Sequence, residues 1–117
     1  MTTVLIVDDH PSFRASARAI LEAEGFDVIG EANDGSSAET AIAALRPDVV
    51  LLDVQLPDTD GFEICRECLA KNGYNPRIVL VSSRDAADYG ELISRCGATG
   101  FIAKAELSGE ALAALVE

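Results

Sequence analysis

Five short apolar runs alternate along the chain with stretches of helical periodicity: Val4–Val7, Val28–Ile29, Val49–Leu52, Ile78–Val81 and Phe101–Ala103. The first, third and fourth are unbroken apolar runs rather than alternating ones. Strands buried on both faces of a parallel sheet read this way. Between the runs, helices have recognisable ends. Pro11 suits the first position of a helix whose apolar stripe is Phe13, Ala17, Ile20 and Leu21, with Gly25 at its C′ position. Ser36 and Glu39 have capping-box spacing before a stripe of Ala38, Ala41, Ile42 and Leu45, and Pro47 stops that helix. A third helix is predicted from about Gly61 to Lys71, with Phe62, Cys65, Cys68 and Leu69 inward. The fourth, from about Ala86 to Cys96, carries Gly90 in its interior at a cost of roughly 1 kcal/mol. The last starts after Ser108, with Leu107 and Leu112 as a hydrophobic staple and Leu112, Leu115 and Val116 buried.

The order βαβαβαβαβα predicts an α/β sandwich with helices on both faces of a parallel sheet. In such sheets, ligands bind beyond the carboxyl ends of the strands. The residues that follow each strand are therefore the ones to read for chemistry.

Composition narrows the field before those residues are considered. A chain of 117 residues fits one domain, and its 49% apolar content is enough for a core. A net charge of −11 opposes contact with nucleic acid or an anionic membrane. No apolar run approaches the ~18 residues of a membrane-spanning helix, and the N-terminus lacks the basic start and long apolar stretch of a signal peptide. The odd set Cys65, Cys68 and Cys96 fits a reducing, cytoplasmic compartment.

The first strand ends in Asp8-Asp9, the third in Asp53, the fourth in Ser82-Ser83 and the fifth in Lys104. Two carboxylates ~4 Å apart at an effective dielectric near 20 repel by roughly 4 kcal/mol. Three of them with one lysine call for a cation. A hard oxygen-ligand site with few carboxylates suits Mg²⁺, which takes further ligands from water and phosphoryl oxygens. Asp53 then reads as a nucleophile able to form an aspartyl phosphate. The ion, Lys104 and a hydroxyl would neutralise the equatorial oxygens during in-line transfer.

With these residues in place, the chain resembles the receiver domain of two-component response regulators over its whole length, 1–117. Val4-Leu5-Ile6-Val7-Asp8-Asp9-His10-Pro11 is similar to that family's first strand and acidic pair. Asp48 to Asp53, followed by Leu56-Pro57 and Asp60-Gly61, resembles its phosphoacceptor strand and loop, and Ser82 and Lys104 stand at fitting offsets. The resemblance implies a flavodoxin-like (CheY-like) doubly wound sheet of five parallel strands in order 2-1-3-4-5, with five helices.

It also implies roles. Asp53 is similar to the residue that takes a phosphoryl group from a sensor histidine kinase, which makes the chain a phosphoacceptor switch rather than an enzyme. Asp9 resembles a direct Mg²⁺ ligand and Asp8 one acting mainly through water, with Asp53 and the backbone carbonyl of Gln55 completing the set. Ser82 and Lys104 resemble the groups that contact the phosphoryl oxygens. Phe101 stands where the family has its switch aromatic, and a core aromatic on the fifth strand is the equal alternative. The expected readout face is helix four, strand five and helix five, for a partner or a second copy.

Val7 to Arg14 looks like the subgroup with a C-terminal helix-turn-helix output (NarL/FixJ/LuxR-type). DNA contact is then expected only through an output domain outside this chain. A stand-alone or atypical receiver that works as an interaction module without phosphate is the alternative. The family often has proline after the lysine, joined by a cis bond, whereas Ala105 follows here. A non-proline cis bond costs ~2.5–4 kcal/mol. Either a strained loop or a trans bond with Lys104 displaced is expected.

Cys65-Arg66-Glu67-Cys68 has C-x-x-C spacing, but within a predicted helix, where packing is favoured over redox chemistry. His10 reads as a partly exposed loop residue, since Mg²⁺ prefers oxygen. The first strand does not end in a phosphatase D-x-D pair, because the residue two after Asp8 is His10, and the sequence has no P-loop.

Overall fold

The unbroken apolar runs become the three inner strands of a parallel sheet. The computed structural model describes residues 1–71 and 73–117. Strands β1 (Thr3–Val7), β2 (Asp27–Ala32), β3 (Val49–Asp53), β4 (Arg77–Ser82) and β5 (Gly100–Ala103) pair in the order β2-β1-β3-β4-β5. Helices α1 (Pro11–Ala23), α2 (Gly35–Leu45), α3 (Gly61–Leu69) and α4 (Leu92–Arg95) lie in the crossovers, and α5 (Gly109–Val116) follows the last strand.

Alternate residues of each inner strand serve opposite faces. Leu5, Val7, Val50, Leu52, Ile78 and Leu80 join Ala38, Ile42, Phe62, Cys65 and Cys96 in one core cluster. Val4, Ile6, Val49, Leu51, Val79 and Val81 join Ala17, Leu21, Leu112 and Val116 in the other. Helices α2, α3 and α4 thus cover one face, and α1 and α5 the other. Among the described residues no helix is long and apolar enough to cross a membrane.

Most predicted helix ends hold. Pro11 opens α1, and Gly25 beyond its end takes φ +99°. Ser108 caps α5 by accepting from the Ala111 N–H. Four details differ. The capping box of α2 lies two residues earlier than Ser36 and Glu39. Asp34 accepts from the Ser37 N–H at 2.8 Å while the Ser37 hydroxyl oxygen accepts from the Asp34 N–H. Ile20, Leu45 and Leu115, expected in apolar stripes, are exposed, because each helix buries only its narrow inner face. The third helix ends at Leu69 rather than at about Lys71.

The predicted fourth helix is broken. A 3-10 turn, Ala86–Asp88, is closed by Asp85 and Asp88 and followed by Gly90 at φ +57°, leaving only the single turn Leu92–Arg95 as α4. A residue in left-handed backbone cannot continue an α-helix, so the apolar periodicity across this stretch does not become one continuous element.

Candidate functional site

Strand register brings the predicted residues together. Val7 pairs with Leu52, so Asp8 and Asp53 are the next residues of adjacent parallel strands. Asp53 pairs in turn with Val81, and Ser82 with Ala103, which places Ser82 and Lys104 one step further along the same edge. Asp9, His10, Asp53, Gln55, Ser82 and Lys104 line a single open cleft there. Every residue proposed from sequence for the phosphoryl and metal chemistry therefore lies at this end, with Asp8 buried directly beneath it.

The cleft is electrostatically loaded. Asp8 is fully buried and Asp53 nearly so. Lys104 Nζ stands 2.5 Å from Asp8 Oδ2 and 3.4 Å from Asp53 Oδ2, with its ammonium 4.6 Å above the Phe13 ring. Burial, reinforced by the Asp8 carboxylate, pushes the Asp53 carboxyl up to about 6 against the opposing pull of Lys104. Gln55 N–H donates to Asp53 Oδ1 at 3.3 Å, and the Arg14 guanidinium donates to the Asp8 carbonyl at 2.7 Å, fixing the β1–α1 connection.

Among the described residues Asp8, Asp9, His10 and Asp53 form a group able to hold a metal ion. Asp8 Oδ2 and Asp9 Oδ1 are buried without a well-aligned hydrogen bond, although Lys104 and His10 lie beside them in ion-pair contact. Spare buried carboxylate oxygens are the donors a hard divalent cation takes. The residues fit Mg²⁺.

Two sequence expectations change here, and one residue is added. The Lys104–Ala105 bond is trans, and Lys104 is nonetheless beside Asp53, so neither a strained loop nor a displaced lysine is found. The 3-10 turn Lys104–Glu106 directs the chain toward α5 without a proline. His10 is exposed, as expected, but it is also part of the cluster: its Nδ1 lies 3.0 Å from both Asp8 Oδ1 and Asp9 Oδ1. Tyr89, unremarked in the sequence, shares a 2.6 Å hydrogen bond with the Ser82 hydroxyl. Only a fold that brings the segment after β4 back over its own strand end could reveal that pairing. The three cysteines are buried, and burial pushes the Cys65 and Cys68 thiols up, so all three sulfurs serve as core.

Gly61 sets the shape of the loop after β3. Its N–H donates to the Val54 carbonyl at 2.7 Å, and a Cβ at this position would lie 2.6 Å from the Asp53 carbonyl oxygen and 3.1 Å from Val54 Cα. Backbone cannot yield as a flexible side chain does. Gly61→Ala is expected to lower stability by about 3 kcal/mol, read as a shifted urea midpoint. An unshifted midpoint would show that the loop relaxes freely.

The family profile described as the response regulator receiver domain matches residues 4–117. The chain is 33% identical over 111 residues to the DNA-binding transcriptional activator EvgA of Escherichia coli, covering 95% of this chain and 54% of that protein. It is 45% identical over 87 residues to the DNA-binding response regulator MtrA of Mycolicibacterium smegmatis, covering 73% and 36% respectively. The chain thus spans about half or less of the length of these relatives. The beryllofluoride-activated N-terminal receiver domain of Klebsiella pneumoniae RstA superposes with a TM-score of 0.85 at 33% identity, covering 97% of this chain and 95% of that one.

Proposed function

The chain belongs to the response regulator receiver domain family, and from that membership we propose that it is a phosphorylation-driven signalling switch with Asp53 as its phosphoacceptor. One observation carries this reading: a buried carboxylate closes the central strand, with a second carboxylate and the Lys104 ammonium both in contact range. An Asp53 carboxylate oxygen attacks the phosphorus of a phosphohistidine on a sensor kinase. The new O–P bond gives an acyl phosphate, and the P–N bond breaks with its electron pair returning to the imidazole.

Lys104 and Ser82 meet the transferred oxygens, and Arg14 holds the Asp8 loop in place. Asp8, Asp9, Asp53 and the Gln55 carbonyl would hold Mg²⁺, which supplies neutralising charge to the phosphoryl oxygens. The phosphorylated form is selected from an existing equilibrium by these added contacts. Its readout is the face formed by α4, β5 and α5, toward a partner or a second copy. The DNA-binding role named for the relatives supports a transcriptional output joined to this switch, in a cytoplasmic protein.

Acetyl phosphate tests the reading directly. With Mg²⁺ present, intact mass is expected to show one phosphoryl adduct, which a chelator prevents. An unmodified mass under both conditions overturns the phosphoacceptor assignment. If Mg²⁺ binding were retained in that case, the chain would be a module that signals by binding alone.

A further inference from the structure

Ser82 is where the proposed phosphoryl site touches the rest of the fold, and its hydroxyl is already engaged. Ser82 Oγ accepts from the Arg84 backbone N–H at 3.1 Å and shares a 2.6 Å hydrogen bond with the Tyr89 phenol. It makes no hydrogen bond to Asp53 among the described residues; the groups bonded to Asp53 are the Gln55 N–H and Lys104. The hydroxyl is turned toward Tyr89 rather than toward the carboxylate.

Tyr89 is placed to feel any change at Ser82. Its ring lies between Phe62, at 5.5 Å, and Phe101, at 5.9 Å, as measured between ring centroids. Its neighbour is Gly90, whose φ of +57° marks the bend between the 3-10 turn and α4. The Leu92 N–H that begins α4 donates to the Tyr89 carbonyl at 3.2 Å. The other tyrosine, Tyr74, donates its hydroxyl to the Pro47 carbonyl, away from this cleft. Phe101 has no hydroxyl to offer.

We propose that Tyr89 is a positioning residue that holds Ser82 in reserve, its phenol competing with a phosphoryl group on Asp53 for one serine hydroxyl. The inference rests on the phosphoacceptor reading of the site. Either oxygen can donate in this bond, and rotating the Ser82 side chain toward Asp53 carries Oγ away from the phenol and breaks the short contact with Tyr89. The freed phenol is no longer tethered to the strand end. Its ring can shift against Phe101, and the Gly90 bend can change, so that occupancy of Asp53 is passed to α4 and β5. The competition also sets how readily the site takes a phosphoryl group, because that bond is lost on every activation.

Beryllofluoride, bound in the presence of Mg²⁺, is a suitable probe, with its affinity measured by calorimetry. Tyr89→Phe is expected to bind it roughly two- to tenfold more tightly than wild type, the worth of one net hydrogen bond. Ser82→Ala binds more weakly, and adding Tyr89→Phe to it changes nothing further, since the phenol then has no hydroxyl to hold. A packing role alone would alter thermal stability without this dependence on Ser82. In a Tyr74→Phe chain, whose one remaining phenol is Tyr89, beryllofluoride is expected to shift the near-ultraviolet tyrosine band. Equal or weaker binding by Tyr89→Phe, an effect that persists in Ser82→Ala, or an unmoved tyrosine band overturns the latch while the phosphoacceptor reading stands. A wild-type chain that takes no beryllofluoride overturns both.

Discussion

Asp53→Asn is expected to remain unmodified by acetyl phosphate and to unfold at a higher temperature than wild type above about pH 6 without divalent ions. The two effects share one cause. The Asp53 carboxyl is pushed up to about 6 by burial and by the Asp8 carboxylate, so the folded chain binds this proton more tightly than the unfolded chain does. Protonation therefore stabilises the fold. That contribution is complete below the unfolded value near 4 and is lost as pH rises through 6. Asparagine keeps the shape and removes the charge that the site opposes. The gain is about 3 kcal/mol near pH 8, shrinks through pH 4 and disappears by about pH 3, where wild-type Asp53 is protonated in both states. Thermal unfolding with a chelator across this range checks it. A variant less stable than wild type near pH 8, or a gain undiminished near pH 4, contradicts the described balance of charges.

Lys104→Met produces the opposite imbalance. The lysine supplies the ammonium held against both Asp8 and Asp53, with its stem beside Phe13. Methionine retains much of the packing and none of the charge. The fully buried Asp8 carboxylate then faces Asp53 without its cationic neighbour. Stability near neutral pH is expected to fall by about 1–3 kcal/mol, below the cost for a wholly buried pair because the lysine keeps some contact with water. The rate of phosphoryl uptake from acetyl phosphate falls by about 10²–10³ when a positioned charge at the transferred oxygens is removed. Urea titration and time-resolved intact mass measure the two separately. Wild-type uptake by the methionine variant would remove Lys104 from the chemistry.

The parts of this molecule legible in its sequence are those decided by local pattern. Val4–Val7, Val49–Leu52 and Ile78–Val81 are buried on both sides and could only be inner strands. Because those strands are parallel and in register, the residues after each one had to meet at one edge. Asp8, Asp53, Ser82 and Lys104 were therefore readable as a group. The rest is decided across space or by a single dihedral angle. The α4 region is periodic enough to suggest a continuous helix, and one left-handed glycine cancels it. His10 reads as a loop residue until the β1–α1 turn folds its ring back between two aspartates. Tyr89 carries no motif, and its phenol gains meaning only through the serine opposite. The missing proline after Lys104 appeared consequential because a preference seen in many sequences is not the only backbone route to the same lysine position.

The sheet also divides the interior into two halves that do not touch. Substitutions among Phe62, Cys96, Tyr89 and Phe101 share neighbours and are coupled, whereas a substitution at Leu21, Leu112 or Val116 is screened from them by a layer of strands. Changes on opposite sides are then expected to add nearly independently, within about 0.3–0.5 kcal/mol. Leu21, Leu112 and Val116 can therefore be repacked to retune thermal stability with little effect on the packing of Tyr89 against Phe62 and Phe101 across the sheet.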